Sequence, residues 1–342
     1  MSDDTSTSET DTDSSDPIWG IELTPEHPPD RIATLAALAE REGFDVAFTS
    51  NHYFNRDPFV TLSRMVEATD DLLVGPGVTN PYESHPVKLA AQTATIDEVS
   101  NGRAVFGVGA GDRSSLANLG IAQEKPLRRV LETFKVAEDL WAGETVTHEG
   151  TFTAKDASLN LEPTEIPVYV GAQGPHMLRM SAKHADGTLI NASHPKDLAW
   201  SAEQVEKGLA DRPEEDGAFE SLAFASVSLA EDDETAREAA RPPVAFIAGG
   251  AAPPVLERHD IDREAAGAVS DALERGDLSE AFGHVTPGMI DAFCIAGTTE
   301  TVADRFEAAL EHVDGIVVGS PLGPDLEAAI EMASEALERA SE

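Results

Sequence analysis

The sequence predicts an α/β protein built as a (β/α)8 TIM barrel, and three observations support this prediction. Short β-rich runs alternate with helical stretches from residue 17 onward, which is typical of parallel βαβ units. The chain has 342 residues, enough for one such barrel with insertions. Several apolar runs end in glycine and polar residues, at the positions where a barrel carries its chemistry.

Eight segments are predicted to be the strands of this barrel. Each is a short apolar run, and proline or glycine marks most of its boundaries. The predicted strands are residues 18–23, 45–49, 72–78, 104–109, 167–170, 187–190, 221–229 and 314–318.

The segments between the strands are predicted to be helices, at residues 29–42, 59–69, 86–99, 125–141, 175–184, 196–209, 299–311 and 325–340. Residues 145–153 alternate in polarity and predict a β-hairpin. Residues 231–298 are too long for a structureless loop, so we expect a helical insertion before the last strand. Residues 1–16 contain only Ser, Thr, Asp and Glu after the first Met. They predict a disordered acidic tail before a single domain at 17–342.

The chain carries a formal net charge of −39 at pH 7, from 63 acidic and 24 basic residues spread along its length. Such a charge repels itself and destabilises a compact chain at low ionic strength. In molar salt the Debye length falls to about 3 Å, which screens this repulsion. We therefore expect a halophilic protein in a high-salt cytoplasm. Nucleic-acid binding is excluded, because no basic stripe is available to neutralise phosphates.

Cysteine usage and hydropathy indicate a cytoplasmic protein with no membrane partner. Cys294 is the only cysteine, so no disulfide can form within the chain. No apolar run is long enough to span a membrane, and the N-terminus lacks the features of a signal peptide. The histidines are scattered without zinc-site spacing, so no metal site is predicted.

The third predicted strand carries an unusual glycine–proline run. Residues 72–82 read Leu-Leu-Val-Gly-Pro-Gly-Val-Thr-Asn-Pro-Tyr, so that Gly75 and Gly77 interrupt a plain apolar strand. Glycine inside a strand marks a bulge or a close approach of the backbone to a ligand. Thr79 and Asn80 follow at the end of the strand. This strand is therefore predicted to press its backbone against a flat ligand.

Four further segments complete an ordered set with this run. They read Ile-Trp-Gly-Ile-Glu-Leu at 18–23, Thr-Ser-Asn-His-Tyr-Phe-Asn-Arg-Asp at 49–57, Ala-Val-Phe-Gly-Val-Gly-Ala-Gly-Asp at 104–112 and Gly-Ser-Pro-Leu-Gly-Pro at 319–324. In order and spacing the set resembles the bacterial-luciferase-like superfamily. Within it, the set most resembles the methylenetetrahydromethanopterin reductase family, which uses the deazaflavin coenzyme F420. The resemblance covers roughly residues 17–340.

The resemblance implies coenzyme F420 as cofactor and a pterin or folate one-carbon carrier as substrate. It also implies the reaction, a reversible hydride transfer between reduced coenzyme and the methylene bridge of the carrier. The bridge opens to a methyl group on one nitrogen, and the other nitrogen gains a proton. That proton requires an acid at the site.

Two carboxylates at predicted strand ends are the catalytic candidates. Glu22 matches the family's leading acid/base position, and the resemblance favours this role over that of a solvated rim residue. Asp112 ends the glycine run after the fourth strand, where it is also placed to cap a helix starting near Ser114. If both carboxylates share the barrel mouth, each raises the proton affinity of the other. One of them would then stay protonated near neutral pH.

Asn51 and His52 follow the second predicted strand. The family's Ser-Asp-His pattern places its histidine beside the deazaflavin ring, which assigns His52 to the coenzyme site. This chain has Asn51 where aspartate is usual. Asparagine keeps the hydrogen-bonding shape of aspartate but loses its charge, which leaves the choice of carrier open.

Glycine-bearing segments supply the remaining coenzyme-binding candidates. In this superfamily the Gly77–Val78 peptide is the expected site of a non-prolyl cis bond that backs the ring. Glycines at residues 171–174, ahead of a predicted helix, suit the phosphate-bearing tail of the coenzyme. Segment 319–324 serves as a family marker, with Ser320 as an expected ligand contact. The predicted coenzyme-binding residues are Asn51, His52, Gly77, Val78, Thr79, Asn80, Gly109, Gly171, Ala172, Gln173 and Gly174.

Several alternatives remain open from the sequence. The carrier is either tetrahydromethanopterin or tetrahydrofolate. The chain is alternatively another F420-dependent oxidoreductase acting on an alcohol or sugar, an FMN-dependent luciferase-like monooxygenase, or a coenzyme-binding homologue without catalysis. The presence of Glu22, His52 and Asp112 argues against the last of these. By family, a homo-oligomer, either a dimer or a tetramer, is expected.

Overall fold

The computed structural model describes residues 16–342, so the predicted acidic tail lies outside the described residues except for Asp16. The strands are β1 (Ile18–Glu22), β2 (Val46–Thr49), β3 (Leu73–Pro76), β4 (Phe106–Val108), β5 (Val146–Glu149), β6 (Thr153–Ala157), β7 (Val168–Ala172), β8 (Gly187–Ile190), β9 (Glu220–Leu229), β10 (Ile295–Gly297) and β11 (Gly315–Leu322). The helices are α1 (Pro29–Arg41), α2 (Pro58–Ala68), α3 (Pro86–Ser100), α4 (Arg113–Asn118), α5 (Pro126–Trp141), α6 (Pro175–His184), α7 (Pro195–Leu209), α8 (Asp233–Gly250), α9 (Pro253–Arg258), α10 (Arg263–Glu274), α11 (Leu278–Gly283), α12 (Pro287–Phe293), α13 (Thr299–Leu310) and α14 (Leu326–Ala340).

Parallel strands form a nearly closed barrel, with the neighbour order β3-β2-β1-β11-β9-β8-β7-β4. Isolated parallel bridges, Val74 with Ala104 and Thr79 with Val108, bring the two ends of this row together. The predicted (β/α)8 barrel is therefore confirmed. Its closure places the carboxyl ends of the strands in one ring, where the connecting loops meet.

Two apolar layers hold the barrel together. The interior layer contains Phe48, Tyr169 and Val317, and the Phe48 ring lies 6.1 Å from that of Phe224. The outer layer lies between strands and helices and includes Ile21 and Phe106. Strands buried on both faces need apolar residues at every position, which explains the unbroken apolar runs of the sequence.

Proline sets the start of many helices. It is the first residue of α1, α2, α3, α5, α6 and α7. At this position its missing N–H costs nothing, because the first N–H groups of a helix have no partner within the helix. Side-chain caps add to this signal, as where Asp57 accepts a hydrogen bond from the Val60 N–H at the start of α2. These boundaries differ from the predicted ones by one or two residues at most.

The structure departs from the predicted strands at two places. β10 was not predicted, because its three residues are too short to give a pattern. β11 runs to Leu322 rather than ending at residue 318. Its pairing with β9 shifts register after Gly319 and resumes where Leu322 meets Ser228. Glycine and proline at 319–321 interrupt the ladder, and this break had indicated the end of the strand.

Residues 231–298 contain helices α8 to α12 and then β10. These helices share an apolar cluster of their own that includes Val244, Val269, Met289 and Phe293. β10 pairs in parallel with β9, which joins this segment to the barrel sheet. The predicted hairpin is present as the antiparallel pair β5 and β6. None of the helices within residues 16–342 is long and apolar enough to cross a membrane.

Candidate active site

A cleft of about 600 Å³ opens at the carboxyl ends of strands on one side of the barrel. Most of the predicted coenzyme-binding residues line it, together with one of the two catalytic candidates. These residues are Asn51, His52, Gly77, Val78, Gly109, Gly171, Ala172, Gln173, Gly174 and Asp112. Further lining residues, which were not predicted from the sequence, include Ser50, Met177, Leu189, Asn191 and Phe224. Ser50 and Asn191 directly follow predicted strands, so their position along the sequence would have identified them.

The floor of the cleft is built around Val78. The Gly77–Val78 peptide bond is cis, as expected for this position. A Cβ placed on Gly109 would lie 2.7 Å from Val78 Cγ2, and one on Gly171 would lie 3.0 Å from the same atom. The absence of side chains at the two glycines therefore leaves the space that the Val78 side chain occupies. Their bare backbone, which we expected to approach the ligand directly, is needed first to accommodate this valine.

Gly77 serves the barrel interior. A Cβ at this position would lie 2.7 Å from Phe48 Cβ and 3.1 Å from Phe224 Cε2. Both aromatic residues belong to the interior layer of the barrel. A side chain at position 77 would therefore disturb the barrel core as well as the floor of the cleft.

Thr79 and Asn80 do not line the cleft, although both were predicted to bind the coenzyme. They are 1% and 3% exposed, respectively. Asn80 Nδ2 donates a hydrogen bond of 2.7 Å to Glu83 Oε2, and Asn51 Nδ2 donates to the same oxygen at 3.2 Å. Thr79 Oγ1 lies 3.4 Å from Asn51 Nδ2. Both residues are therefore buried behind Asn51 and support it. Glu83, which was not predicted from the sequence, belongs to the same group of hydrogen bonds.

His52 presents its imidazole to the cleft. The ring stacks on Phe54 with a centroid separation of 5.2 Å. Burial lowers the pKa of His52 below its usual value, although the carboxylates of Asp112 and Glu83 act in the opposite direction. The imidazole is therefore neutral near physiological pH, where it can both donate and accept a hydrogen bond.

Asp112 is exposed at the rim and caps α4, as the sequence predicted. Its Oδ1 accepts hydrogen bonds from Ser115 N–H at 2.7 Å and from Ser114 Oγ at 2.6 Å. Burial favours a higher pKa for Asp112, but these hydrogen bonds and the nearby His52 outweigh it and lower the pKa. Asp112 is therefore an ionised carboxylate over the physiological range.

Glu22 lies apart from the cleft. It lines a separate crevice of about 20 Å³ with Glu26, His27 and Ser320, which has room for about one water molecule. Burial raises the pKa of Glu22. The Ser320 N–H, 3.2 Å from Glu22 Oε2, and the Ser50 side chain oppose this effect, and the charge of Glu26 adds to it. Ser50, whose side chain acts on Glu22, also lines the cleft and so borders both regions.

The expected coupling of Glu22 and Asp112 is not found. Asp112 is not among the groups that shift the pKa of Glu22, and Glu22 is not among those that shift the pKa of Asp112. Glu22 ends β1 and Asp112 follows β4, and β2 and β3 lie between these strands in the barrel. The carboxylate that acts on Glu22 is instead Glu26, four residues further along the same loop.

The segment at residues 319–324 supports Glu22. A Cβ on Gly319 would lie 3.1 Å from Glu22 Oε2 and 2.9 Å from the Ala225 carbonyl oxygen. Ser320, which was expected to contact the ligand, instead donates its main-chain N–H to Glu22 and lines the crevice. The glycine and the following N–H therefore make room for this carboxyl group and hold it.

Residues 171–174 form the rim of the cleft ahead of α6. Gly174 occupies the N-cap position, where no side chain caps the helix. The Gln173 side chain donates to the Asn191 carbonyl oxygen at 3.3 Å, which ties this loop to the one after β8. In the part of the chain that the structure describes, no cluster of His, Cys, Asp and Glu is placed to hold a metal ion.

Comparisons with known proteins agree with this architecture. The profile of the luciferase-like monooxygenase family matches residues 10–315. A 5,10-methylenetetrahydromethanopterin reductase of Archaeoglobus fulgidus is 41% identical over 320 residues, covering 92% of this chain and 96% of the relative. A reductase of the same name from Methanopyrus kandleri is 37% identical over 336 residues, covering 93% and 96%.

Solved structures give the same result. The coenzyme F420-dependent tetrahydromethanopterin reductase from Methanopyrus kandleri superposes with a TM-score of 0.87 at 36% identity, covering 94% of this chain and 98% of that one. An F420-dependent secondary alcohol dehydrogenase, at 20% identity and a TM-score of 0.77, shares the fold over 95% of this chain and 99% of its own. The chain therefore belongs to the luciferase-like monooxygenase family, in the branch that contains these reductases.

Proposed function

We propose that this chain catalyses the F420-dependent reduction of 5,10-methylenetetrahydromethanopterin to the 5-methyl form. The observation that carries the proposal is the 41% identity to the Archaeoglobus fulgidus reductase along nearly the whole length of both chains. The cleft at the carboxyl ends of the strands supports it, because ligands of this fold bind at that face.

The residues of the cleft fit a flat coenzyme with an anionic tail. Val78 sits closely against Gly109 and Gly171 on the floor, and Leu189 and Phe224 add apolar surface beside it. At the rim, the first turn of α6 has no side-chain cap, so its N-terminus suits a phosphate. When bound, F420 supplies the hydride. The residues proposed to hold it are Asn51, His52, Gly77, Val78, Gly109, Gly171, Ala172, Gln173 and Gly174, with Thr79 and Asn80 behind them.

The remaining chemistry is the movement of one proton. The hydride adds to the methylene carbon, the bond from this carbon to one ring nitrogen breaks, and that nitrogen takes a proton. We propose that Glu22 supplies the proton, since burial keeps its carboxyl protonated at higher pH than an exposed glutamate. Ser50, which acts on Glu22 and lines the cleft, is proposed to pass the proton on. Asp112 is proposed to remain ionised and to act on His52 rather than as an acid.

The test is an activity assay in molar KCl with reduced F420. Methylenetetrahydromethanopterin and methylenetetrahydrofolate are offered separately, and coenzyme oxidation is followed. Turnover with the first carrier supports the proposal, and turnover with the second alone would assign the carrier to folate. Coenzyme binding without turnover on either carrier would contradict it and favour another F420-dependent oxidoreductase or a non-catalytic homologue. Oxygen consumption with reduced FMN would favour a monooxygenase.

We further propose that the protein works in the high-salt cytoplasm of a halophile, as a dimer or tetramer. The net charge of −39 supports the first part, because only concentrated salt screens repulsion of this size. The oligomeric state is tested by light scattering in molar KCl, where a monomer would contradict it. We also retain the proposed organisation of an acidic tail at 1–16 and a single domain at 17–342, with 231–298 as an insertion.

A further inference from the structure

Three side chains beside the cleft form a chain of hydrogen bonds with a fixed direction. It begins at Asn80, whose Oδ1 accepts the main-chain N–H groups of Tyr82 at 3.1 Å and Glu83 at 3.0 Å. Main-chain N–H groups can only donate, so the Asn80 oxygen must face them. The Asn80 Nδ2 then points away from them, to Glu83 Oε2 at 2.7 Å.

Glu83 in turn sets the orientation of the Asn51 amide. An ionised carboxylate only accepts hydrogen bonds, so the atom 3.2 Å from Glu83 Oε2 must be the Nδ2 of Asn51. The reversed amide would place two acceptor oxygens against each other. The orientation of the Asn51 amide is therefore set by Glu83, and the orientation of Asn80 by the main chain.

The consequence appears in the cleft. With Nδ2 turned to Glu83 and Thr79, the Asn51 Oδ1 is the free end of the amide, and no described residue donates a hydrogen bond to it. Asn51 lines the cleft. Its Oδ1 has no hydrogen-bond donor but is not one of the fully buried unpaired polar atoms, so it is accessible from outside. The cleft thus presents a fixed, uncharged hydrogen-bond acceptor at this position.

We propose that Glu83 is a positioning residue that fixes Asn51 Oδ1 as the acceptor for a ring N–H of the ligand in the cleft. This inference rests on the proposed function, because the deazaflavin and the pterin both carry such cyclic amide N–H groups. A ligand that offers an acceptor at this position is disfavoured, because two oxygens would then face each other without a proton. Glu83 itself is not among the residues that line the cleft.

The test removes the acceptor at position 83 and, in a matched variant, keeps it without the charge. In Glu83→Leu, the acceptor nearest to Asn51 Nδ2 is lost, so the amide is no longer held and either end can face the cleft. In Glu83→Gln, the amide oxygen can take the place of Glu83 Oε2, where it accepts from both Asn80 and Asn51. In Asn51→Asp, two carboxylates face each other.

Binding of F420 is measured by fluorescence titration, and the KM for methylenetetrahydromethanopterin by steady-state kinetics. We expect Glu83→Leu and Asn51→Asp each to weaken at least one of these constants about tenfold, and Glu83→Gln to stay within about threefold of the parent. A change in F420 binding alone assigns the N–H to the coenzyme, and a change in KM alone assigns it to the pterin. Glu83→Asp, which keeps the carboxylate, is expected to rescue most of the loss.

Glu144→Gln is the control, because it removes one negative charge from an exposed residue. Unfolding midpoints of all variants are measured, so that loss of the fold is recognised separately. A loss in Glu83→Gln as large as that in Glu83→Leu would overturn the inference, as would unchanged constants in Glu83→Leu. A parent protein that neither binds F420 nor turns over would overturn the proposed function and this inference together, whereas an active parent with unchanged variants overturns only the inference.

Discussion

Glu22 and Asp112 are both carboxylates at the carboxyl ends of barrel strands, yet their pKa values are shifted in opposite directions. Glu22 lies in a crevice with one main-chain N–H and a second glutamate nearby, and its pKa is raised by burial. Asp112 is exposed at a helix N-terminus, where hydrogen bonds from Ser114 and Ser115 lower its pKa. The surroundings, and not the type of side chain, divide the roles of acid and of permanent anion.

The comparison also shows how little of this division depends on the two groups acting on each other. β2 and β3 separate the strands that carry them, and neither carboxylate shifts the pKa of the other. Each is set by its own loop, with Gly319 and Ser320 supporting Glu22 and the start of α4 supporting Asp112. The surroundings of each carboxylate can therefore be changed by mutation without altering those of the other.

The largest expected effect comes from removing the proton of Glu22. Glu22→Gln is expected to lower kcat by about 10²–10⁴-fold, because an amide cannot supply the proton, while F420 binding stays within about threefold of the parent. The matched change, Asp112→Asn, keeps a good helix cap and is expected to lower kcat by less than about tenfold. Stopped-flow measurement of F420 oxidation separates the two variants. Similar losses in both would remove the distinction between the carboxylates.

The pH dependence of turnover comes next in size. Glu22 must be protonated to act as an acid, so kcat in the reducing direction is expected to be constant below its raised pKa. Above this pKa, kcat should fall about tenfold per pH unit. Asp112, with its lowered pKa, stays ionised across the same range, so its titration adds no change to the pH profile of kcat. A profile that is flat to alkaline pH while chemistry limits the rate would argue against Glu22 as the acid.

A smaller effect is expected from the support of Glu22. The Cβ of Gly319→Ala would lie 3.1 Å from Glu22 Oε2 and 2.9 Å from the Ala225 carbonyl oxygen, so the carboxyl group must move. We expect kcat to fall about tenfold with unchanged F420 affinity, and overpacking to lower stability by about 1–3 kcal/mol. Gly267→Ala in α10 is the control, since nothing lies within 4 Å of a Cβ there. Equal kcat in Gly319→Ala and the parent would show that Glu22 tolerates displacement.

The smallest effect is expected on the other side of the comparison. Ser114→Ala removes one hydrogen bond to Asp112 and leaves that from the Ser115 N–H. We expect the pKa of Asp112 to rise toward its usual value and the free energy of unfolding to fall by about 0.5–1 kcal/mol. Turnover near neutral pH should stay unchanged, because Asp112 remains ionised there. Chemical denaturation and NMR titration check these outcomes, and a clear loss of kcat would give this loop a direct part in catalysis.

Much of the fold could be predicted because buried parallel strands and proline-initiated helices leave strong local patterns. The apolar run of β2 is one such pattern, and Pro29 at the start of α1 is another. Asp112 was predicted as a helix cap for the same reason, since a cap depends on the next three residues only. β10 was missed because three residues paired with a distant strand carry no pattern of their own.

The site was harder to predict where it depends on contacts between distant segments. Glu83 and Asn51 lie 32 residues apart, and no spacing rule brings these side chains together. The glycines at 109 and 171 were expected to bind the coenzyme through their backbone, and only the structure shows that Val78 fills the space beside them. Glu22 was placed at the right strand end, whereas its position in a crevice apart from the cleft depends on how the loops close over the barrel.

The central claim, that burial raises the pKa of Glu22 while hydrogen bonds lower that of Asp112, is tested most directly by infrared difference spectroscopy. Spectra recorded just above the ordinary pKa of an exposed glutamate are compared for the parent, Glu22→Gln and Asp112→Asn. The carbonyl stretching band of a neutral carboxylic acid is expected in the parent and in Asp112→Asn, and it should be lost in Glu22→Gln. A band that persists in Glu22→Gln and disappears in Asp112→Asn would contradict the account and exchange the roles of the two carboxylates.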